Sequence, residues 1–256
     1  MKEYIVNFPL SDKCFAMTST TMLGNLAYQV DEGKVVKEHR KLLADLIHVP
    51  MERFVFVHQH HSDIIQEVTL PDLGKGQKSF EEGLYCDALY THLKEVPLCI
   101  FHADCVPIFF INEKENLVGI IHAGFKGTMK HIAYKAVKEV VEKESLNIED
   151  FKFYIGPFRM KQSFEIDEDS KKAILEAGFE ETIIDNHFDN GLANILDLRK
   201  LGVKDEQIKL ANMDTVTDDR FFSAHLKTPV GRLVSLIYLK NLSNSQRRPL
   251  SSISRG

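Results

Sequence analysis

Leu98-Cys99-Ile100-Phe101-His102-Ala103-Asp104-Cys105-Val106-Pro107-Ile108-Phe109-Phe110-Ile111, followed by Asn112-Glu113-Lys114-Glu115-Asn116 and Leu117-Val118-Gly119-Ile120-Ile121, is the stretch on which the fold turns. The first run is apolar, β-branched and aromatic enough to read as a strand, with Pro107 marking a bulge or an edge. The polar residues 112–116 supply a turn and residues 117–121 return as a second strand, so the centre of the chain is a hairpin. After His122-Ala123-Gly124-Phe125-Lys126-Gly127, Thr128 is placed to cap a helix. The apolar positions of that helix, Met129, Ile132, Ala133, Ala136, Val137, Val140 and Val141, follow the i, i+3, i+4, i+7 stripe.

Outward from this centre, strands and helices continue to mix, which makes the chain α/β. Residues 35–47 carry Leu42, Leu43, Leu46 and Ile47 at helical spacing, residues 53–57 alternate as a strand, and 75–82 form an exposed loop. Further strands are expected at 151–155 and 233–239, and helices at 168–177 and 194–201. No Pro/Ser/Gly-rich linker interrupts the chain before residue 240, so residues 1–240 read as one domain. Residues 241–256 hold serines and arginines without an acid and read as a disordered tail.

Composition excludes some classes of partner. Of 256 residues, 37 are acidic and 32 basic, and the net charge of -5 offers no general attraction for nucleic acid or an anionic membrane. The start of the chain lacks the apolar core of a secretory signal and no run approaches a membrane span, which points to the cytoplasm. Cys14, Cys86 and Cys99 lack the spacing of a disulfide framework and are expected as small packed residues.

The chemistry centres on His61, Cys105 and His122. A hairpin turning near Lys114 puts Cys105 nearly opposite His122, and directly opposed side chains have Cβ atoms roughly 4.5–5.5 Å apart. Soft sulfur with imidazole nitrogen suits zinc, and three protein ligands leave a fourth position open, as in a catalytic site. His102 should point to the other strand face and is a weaker ligand candidate. In His58-Gln59-His60-His61, His58 and His60 share one face while Gln59 and His61 share the other. The same Cys105–His122 pair could instead be the nucleophile and base of a cysteine hydrolase or deamidase.

At these residues the chain resembles the laccase-domain proteins, also labelled multicopper polyphenol oxidases and regarded as zinc-dependent purine nucleoside phosphorylases. The resemblance runs from Ser19 to Leu239. It passes through Gln59-His60-His61, Asp87-Ala88-Leu89, Ala103-Asp104-Cys105-Val106-Pro107 and His122-Ala123-Gly124-Phe125-Lys126-Gly127. It continues through Ile155-Gly156-Pro157, Phe164-Glu165-Ile166, Phe221-Phe222-Ser223 and Gly231-Arg232. The resemblance implies mixed β-sheets packed between helices, with His61, Cys105 and His122 as the ligands of zinc rather than copper. It also implies phosphorolysis of a purine nucleoside, with adenosine deamination as a second activity and editing of cell-wall precursors as a further possibility. The chain departs from the usual pattern at Thr21, Phe125, Lys126, Asp214 and His225.

Roles beyond the ligands are expectations of the same kind. Lys126, with the backbone N–H groups of Gly127 and Thr128 at a helix start, is the candidate phosphate cradle, against the plainer reading of a strand-to-helix turn. Phe125 reads either as a stacking face for a purine or as a core residue beside the turn, and Gln59, His225 and Arg232 are further substrate candidates. Asp104 is either the carboxylate behind a ligand histidine or an acceptor for backbone donors. Asp214 is either an acid–base group or a turn cap. A metal-stabilised nucleoside-binding protein without turnover is the alternative from another class, and oligomeric state is left open.

Overall fold

The computed structural model describes residues 3–241 apart from Glu32, Lys227 and Pro229. The tail expected at 241–256 lies, from residue 242 on, outside the described residues.

Two strands precede the first long helix: β1 (Ile5–Phe8) and β2 (Cys14–Ser19), then α1 (Gly33–Ile47). Three short strands follow: β3 (Val55–Phe56), β4 (Ile65–Glu67) and β5 (Ala88–Thr91). The central apolar run is then divided between β6 (Leu98–His102) and β7 (Val106–Asn112), and β8 (Leu117–Ala123) returns beside β7. Beyond the hairpin come α2 (Phe125–Met129), α3 (Ile132–Lys143), β9 (Phe151–Ile155) and α4 (Glu168–Glu176). The chain ends through β10 (Ile183–Ile184), β11 (His187–Phe188), α5 (Asn190–Lys200), β12 (Ile208–Leu210) and β13 (Leu233–Leu239).

These strands form a five-stranded sheet, β1-β2-β13-β6-β3, and a six-stranded sheet, β12-β9-β7-β8-β5-β4, with β10 and β11 as a separate pair. Each large sheet is mixed, because the β3–β6, β4–β5 and β9–β12 pairs are parallel and the other pairs antiparallel. Alternate residues of both sheets meet in one core: Leu98, Ile100, Leu233 and Ile237 from one, Leu89, Phe109, Ile111, Val118 and Ile120 from the other. The opposite face of the six-stranded sheet, with Ile108, Phe110 and Ile121, packs on Ile132, Ala136, Val140 and Leu198 of α3 and α5. The opposite face of the five-stranded sheet, with Met17, Cys99, Phe101 and Leu236, packs on Leu43, Ala44 and Ile47 of α1. Helices therefore cover both outer faces of a two-sheet sandwich, the mixed α/β arrangement expected. Strands buried on both faces read as continuous apolar runs, which is why residues 98–111 show little alternation.

Continuity of that run hides a break. Residues 98–111 are not one strand but two, in different sheets, and Ala103, Asp104 and Cys105 carry the chain across. Asp104 takes φ 89° there, a left-handed backbone that ends the ladder. Pro107 makes neither bulge nor edge, since β7 pairs with both β8 and β9. Its carbonyl accepts from Gly156 N–H at 3.0 Å, so its missing N–H also points to the β9 side, where β9 has ended at Ile155.

Other boundaries move for local reasons. The helix expected from Thr128 begins at Phe125, and the Thr128 N–H already bonds Gly124 O at 2.8 Å. α5 starts at Asn190 rather than 194, because Asp189 caps it by accepting from Leu192 N–H at 2.8 Å. The strand expected at 53–57 shrinks to Val55–Phe56, with Met51–Arg53 taken up in a 3-10 turn. Cys14, Cys86 and Cys99 are buried free thiols, as packed residues should be.

Candidate metal centre

His122 is near the end of β8, and alternation with Ile120 turns it into the space between the sheets. Cys105 sits at the crossing between β6 and β7, and His61 in the connection from β3 to β4. Observed pairing sets Pro107, not Cys105, opposite His122, so sulfur and imidazole meet on a diagonal. One ligand atom from each of His61, Cys105 and His122 lies within 4.8 Å of the others. The two imidazole rings are 5.1 Å apart and nearly perpendicular. His122 is buried, while His61 and Cys105 are partly exposed, which leaves the group reachable from one side.

The histidine at 61 is not on a strand, so the alternation expected for 58–61 does not apply. His61 has φ 60°, and its conformation is set by Asp87. The fully buried Asp87 carboxylate accepts from the backbone N–H groups of His60 (3.2 Å), His61 (3.0 Å) and Ser62 (2.6 Å) and from the Ser62 hydroxyl (2.6 Å). It also accepts from His122 Nδ1 at 2.9 Å, and the His122 N–H donates to the Asp87 backbone carbonyl at 2.7 Å. Burial alone would raise the acid, but the His122 bond and charge and the Ser62 bonds hold it well below the usual carboxylate range. With Nδ1 turned to Asp87, His122 presents Nε2 to the cluster.

Charge is arranged around the sulfur in the same sense. Burial pushes the Cys105 thiol up, and the His122 charge together with hydrogen bonds from His122 and His61 outweighs it, so the thiol is brought down. His122 is driven down by burial and up by the Cys105 thiolate and Asp87, and the net direction is up. A thiolate, two imidazoles and a carboxylate behind one of them form a donor set for a borderline transition metal, with room for a fourth ligand. Gly124 closes the back of the cluster: a Cβ there would lie 2.6 Å from His61 Cδ2 and 3.0 Å from Cys105 Sγ.

The contacts of the other candidate residues are as follows, with one correction. The carboxylate behind a ligand histidine is Asp87; Asp104 instead accepts from Thr215 Oγ1 (2.8 Å) and His225 N–H (2.8 Å). The Gln59 amide is taken up by the Phe101 backbone, accepting at 2.8 Å and donating at 2.5 Å, so it fills a ladder position beside β6 rather than facing a ligand. Phe125 is half-buried and packs edge-on against Phe188 and beside Phe164 in a satellite core. Lys126 is exposed on α2, and Lys130, one turn on, donates to His61 O at 3.1 Å. His225 is exposed, and Arg232 donates to Gly231 O at 2.8 Å. His102 bonds Ser235 Oγ at 2.7 Å and stands outside the donor set. Asp214 serves as a loop cap, accepting from Val216 N–H, Gln162 Nε2 and Ser163 Oγ. Asp87 and its role escaped the residue pattern: it was visible only as Asp87-Ala88-Leu89, and no spacing rule links it to a histidine thirty-five positions away.

The sequence signature of the family described as multi-copper polyphenol oxidoreductase laccase matches residues 17–240. The chain belongs to that family. Among relatives of the family, it is 30% identical over 249 residues to the purine nucleoside phosphorylase YlmD of Bacillus subtilis, covering 93% of this chain and 90% of that protein. It is 33% identical over 224 residues to a purine nucleoside phosphorylase of Staphylococcus saprophyticus, covering 83% and 84%. Among solved structures, the hypothetical protein YfiH of Bacillus licheniformis superposes with a TM-score of 0.87 at 27% identity, covering 93% of this chain and 97% of that one. Among the described residues no helix is long and apolar enough to cross a membrane.

Proposed function

We propose that this family member is a cytoplasmic, zinc-dependent purine nucleoside phosphorylase. It cleaves adenosine, inosine or methylthioadenosine with phosphate to the free base and ribose 1-phosphate, with adenosine deamination as a second activity. The observation that carries the reading is the His61–Cys105–His122 donor set with Asp87 behind it, in a chain 30% identical to a protein named for that activity. Zinc fits these donors better than the copper of the family description, because oxidation at several coppers needs repeated histidine clusters and the described residues contain one such group.

When bound, zinc would supply a fixed positive charge able to polarise a substrate atom. Asp87 keeps the Nδ1 proton on His122 and so leaves Nε2 as a donor. Gly124 keeps the cluster clear of a side chain that would push His61 aside. Lys130 is held beside His61 by its bond to the His61 carbonyl, and Lys126 precedes it by one helical turn. We assign phosphate to this pair of cations, and no longer to a helix start at Thr128.

A cysteine nucleophile remains the rival, because a lowered thiol beside an imidazole is also its arrangement. The second imidazole on the same sulfur favours a metal. Purified, metal-quantified protein incubated with adenosine or inosine, with and without phosphate, and resolved by chromatography tests the reading. Phosphate-dependent release of base that disappears on chelation is expected; turnover that survives complete zinc removal overturns it, as does the absence of base.

A further inference from the structure

Four rings stand together beside the metal centre: His58, Phe80, Tyr85 and His60. Tyr85 lies flat on His60, with centroids 3.7 Å apart and planes at 13°. His58 meets Tyr85 edge-on at 5.2 Å and Phe80 at 4.3 Å. Tyr85 is nonetheless 55% exposed. His60 covers one face of its phenol.

This stack is fixed rather than incidental. The His60 N–H is held by Asp87 at 3.2 Å, and its Nδ1 bonds His58 O at 3.3 Å. The Tyr85 carbonyl accepts from Gln66 Nε2 at 3.4 Å. Asp87, which anchors His60, is the carboxylate that also orients His61 and His122. An exposed aromatic residue is thus linked to the metal ligands through one carboxylate. A large exposed aromatic beside a site, already stacked on a second ring, offers a third planar ring an offset stack without rearrangement.

We propose that Tyr85, backed by His60, is the platform on which the heteroaromatic base of the nucleoside stacks. This rests on the phosphorylase reading and deepens it: Tyr85 binds the base, while His61, Cys105 and His122 serve the metal. Phe125 is half-buried beside Phe164 and Phe188 in a satellite core. Stacking recognises any purine through its face, so Tyr85 contributes affinity for the base without ranking adenine against hypoxanthine.

Zinc-loaded protein and its Tyr85→Ala, Tyr85→Leu and Tyr85→Phe variants provide the test. Inosine binding is measured by calorimetry without phosphate, so that no phosphorolysis occurs, and ribose 1-phosphate serves as a probe that lacks a base. Loss of the stack should weaken inosine roughly 5- to 100-fold in the alanine and leucine variants and raise KM for inosine similarly. The phenylalanine variant should stay within about twofold of wild type, because it keeps the ring. Ribose 1-phosphate affinity, KM for phosphate and zinc content should not change. Wild-type turnover of inosine with an unchanged Kd in Tyr85→Ala overturns the platform and leaves the phosphorylase reading standing. An equal loss of affinity for ribose 1-phosphate also overturns it, by showing general disruption. Wild-type protein that neither binds nor cleaves inosine, adenosine or methylthioadenosine overturns the phosphorylase reading, and the platform with it.

Discussion

A single buried carboxylate, Asp87, sets the conformation of one ligand and the tautomer of another. Asp87→Asn keeps the shape but offers an amide where a full charge faced His122. Zinc affinity should fall roughly 10- to 100-fold, measured by competition with a chromophoric chelator; an unchanged affinity would remove Asp87 from the centre. The pH dependence of binding follows from the paired shifts. In metal-free protein the Cys105 thiol is lowered and His122 raised, so the pair stands as thiolate and imidazolium near neutrality. Zinc then displaces a proton from His122 and none from Cys105, and affinity rises with pH by about tenfold per unit around neutrality. Calorimetry in buffers of different ionisation enthalpy should report about one proton released per zinc. Two protons would mean that the thiol is neutral, and none that His122 is. The ligand types were legible in the sequence, because sulfur and imidazole announce their own chemistry. Asp87 was not, because a carboxylate bonded to backbone N–H groups looks in sequence like any other acid before a strand.

At the scale of elements, the β7–β8 hairpin was legible and the β6–β7 break was not. Polar residues 112–116 punctuate the hairpin, whereas residues 98–111 are apolar save for His102 and Asp104, because both faces of both strands are buried. The short strands β4 and β12 escaped notice because three residues carry no measurable period. Helix α1 was read from its leucines, yet its most demanding residue is Arg40, only 2% exposed. Arg40 donates to Leu26 O at 2.9 Å and Gly76 O at 2.7 Å, and its guanidinium lies 4.0 Å over Phe56 and 4.4 Å over Tyr28. Arg40→Met fills the slot but leaves those carbonyls unpaired, at about 3 kcal/mol. The melting temperature should drop by roughly 6–12 °C. A drop of under about 2 °C would show that water replaces the guanidinium without loss.

Over the whole molecule, His122 stands on β8, and His61 and Cys105 stand in connections between strands that the two sheets already hold, so the fold does not wait for the metal. Chelated protein should keep its circular dichroism and melt cooperatively. Free zinc at 1,000 times Kd adds about 4 kcal/mol, or roughly 8–16 °C for a chain of this size. His61→Ala and His122→Ala should lose turnover and melt near the zinc-stripped wild type. Unfolded spectra for both would make the centre a structural one. From the residue pattern the architecture was legible as an α/β mixture with buried strands, and from the resemblance as mixed sheets between helices; which strand joins which sheet depends on the crossings, and no local pattern marks them.

Those crossings have a consequence for the chain as a divisible object. His61 lies before the 75–82 loop, and Cys105 and His122 lie after it. A chain severed between the exposed Glu81 and Glu82 would therefore leave one ligand on the first piece and two on the second. The first piece would carry β1, β2 and β3, and the second their sheet partners β13 and β6. Reassembly of the two pieces would then be a metal-dependent association, tight with zinc and weaker in a chelator, and the centre would act as the latch between halves of a split protein.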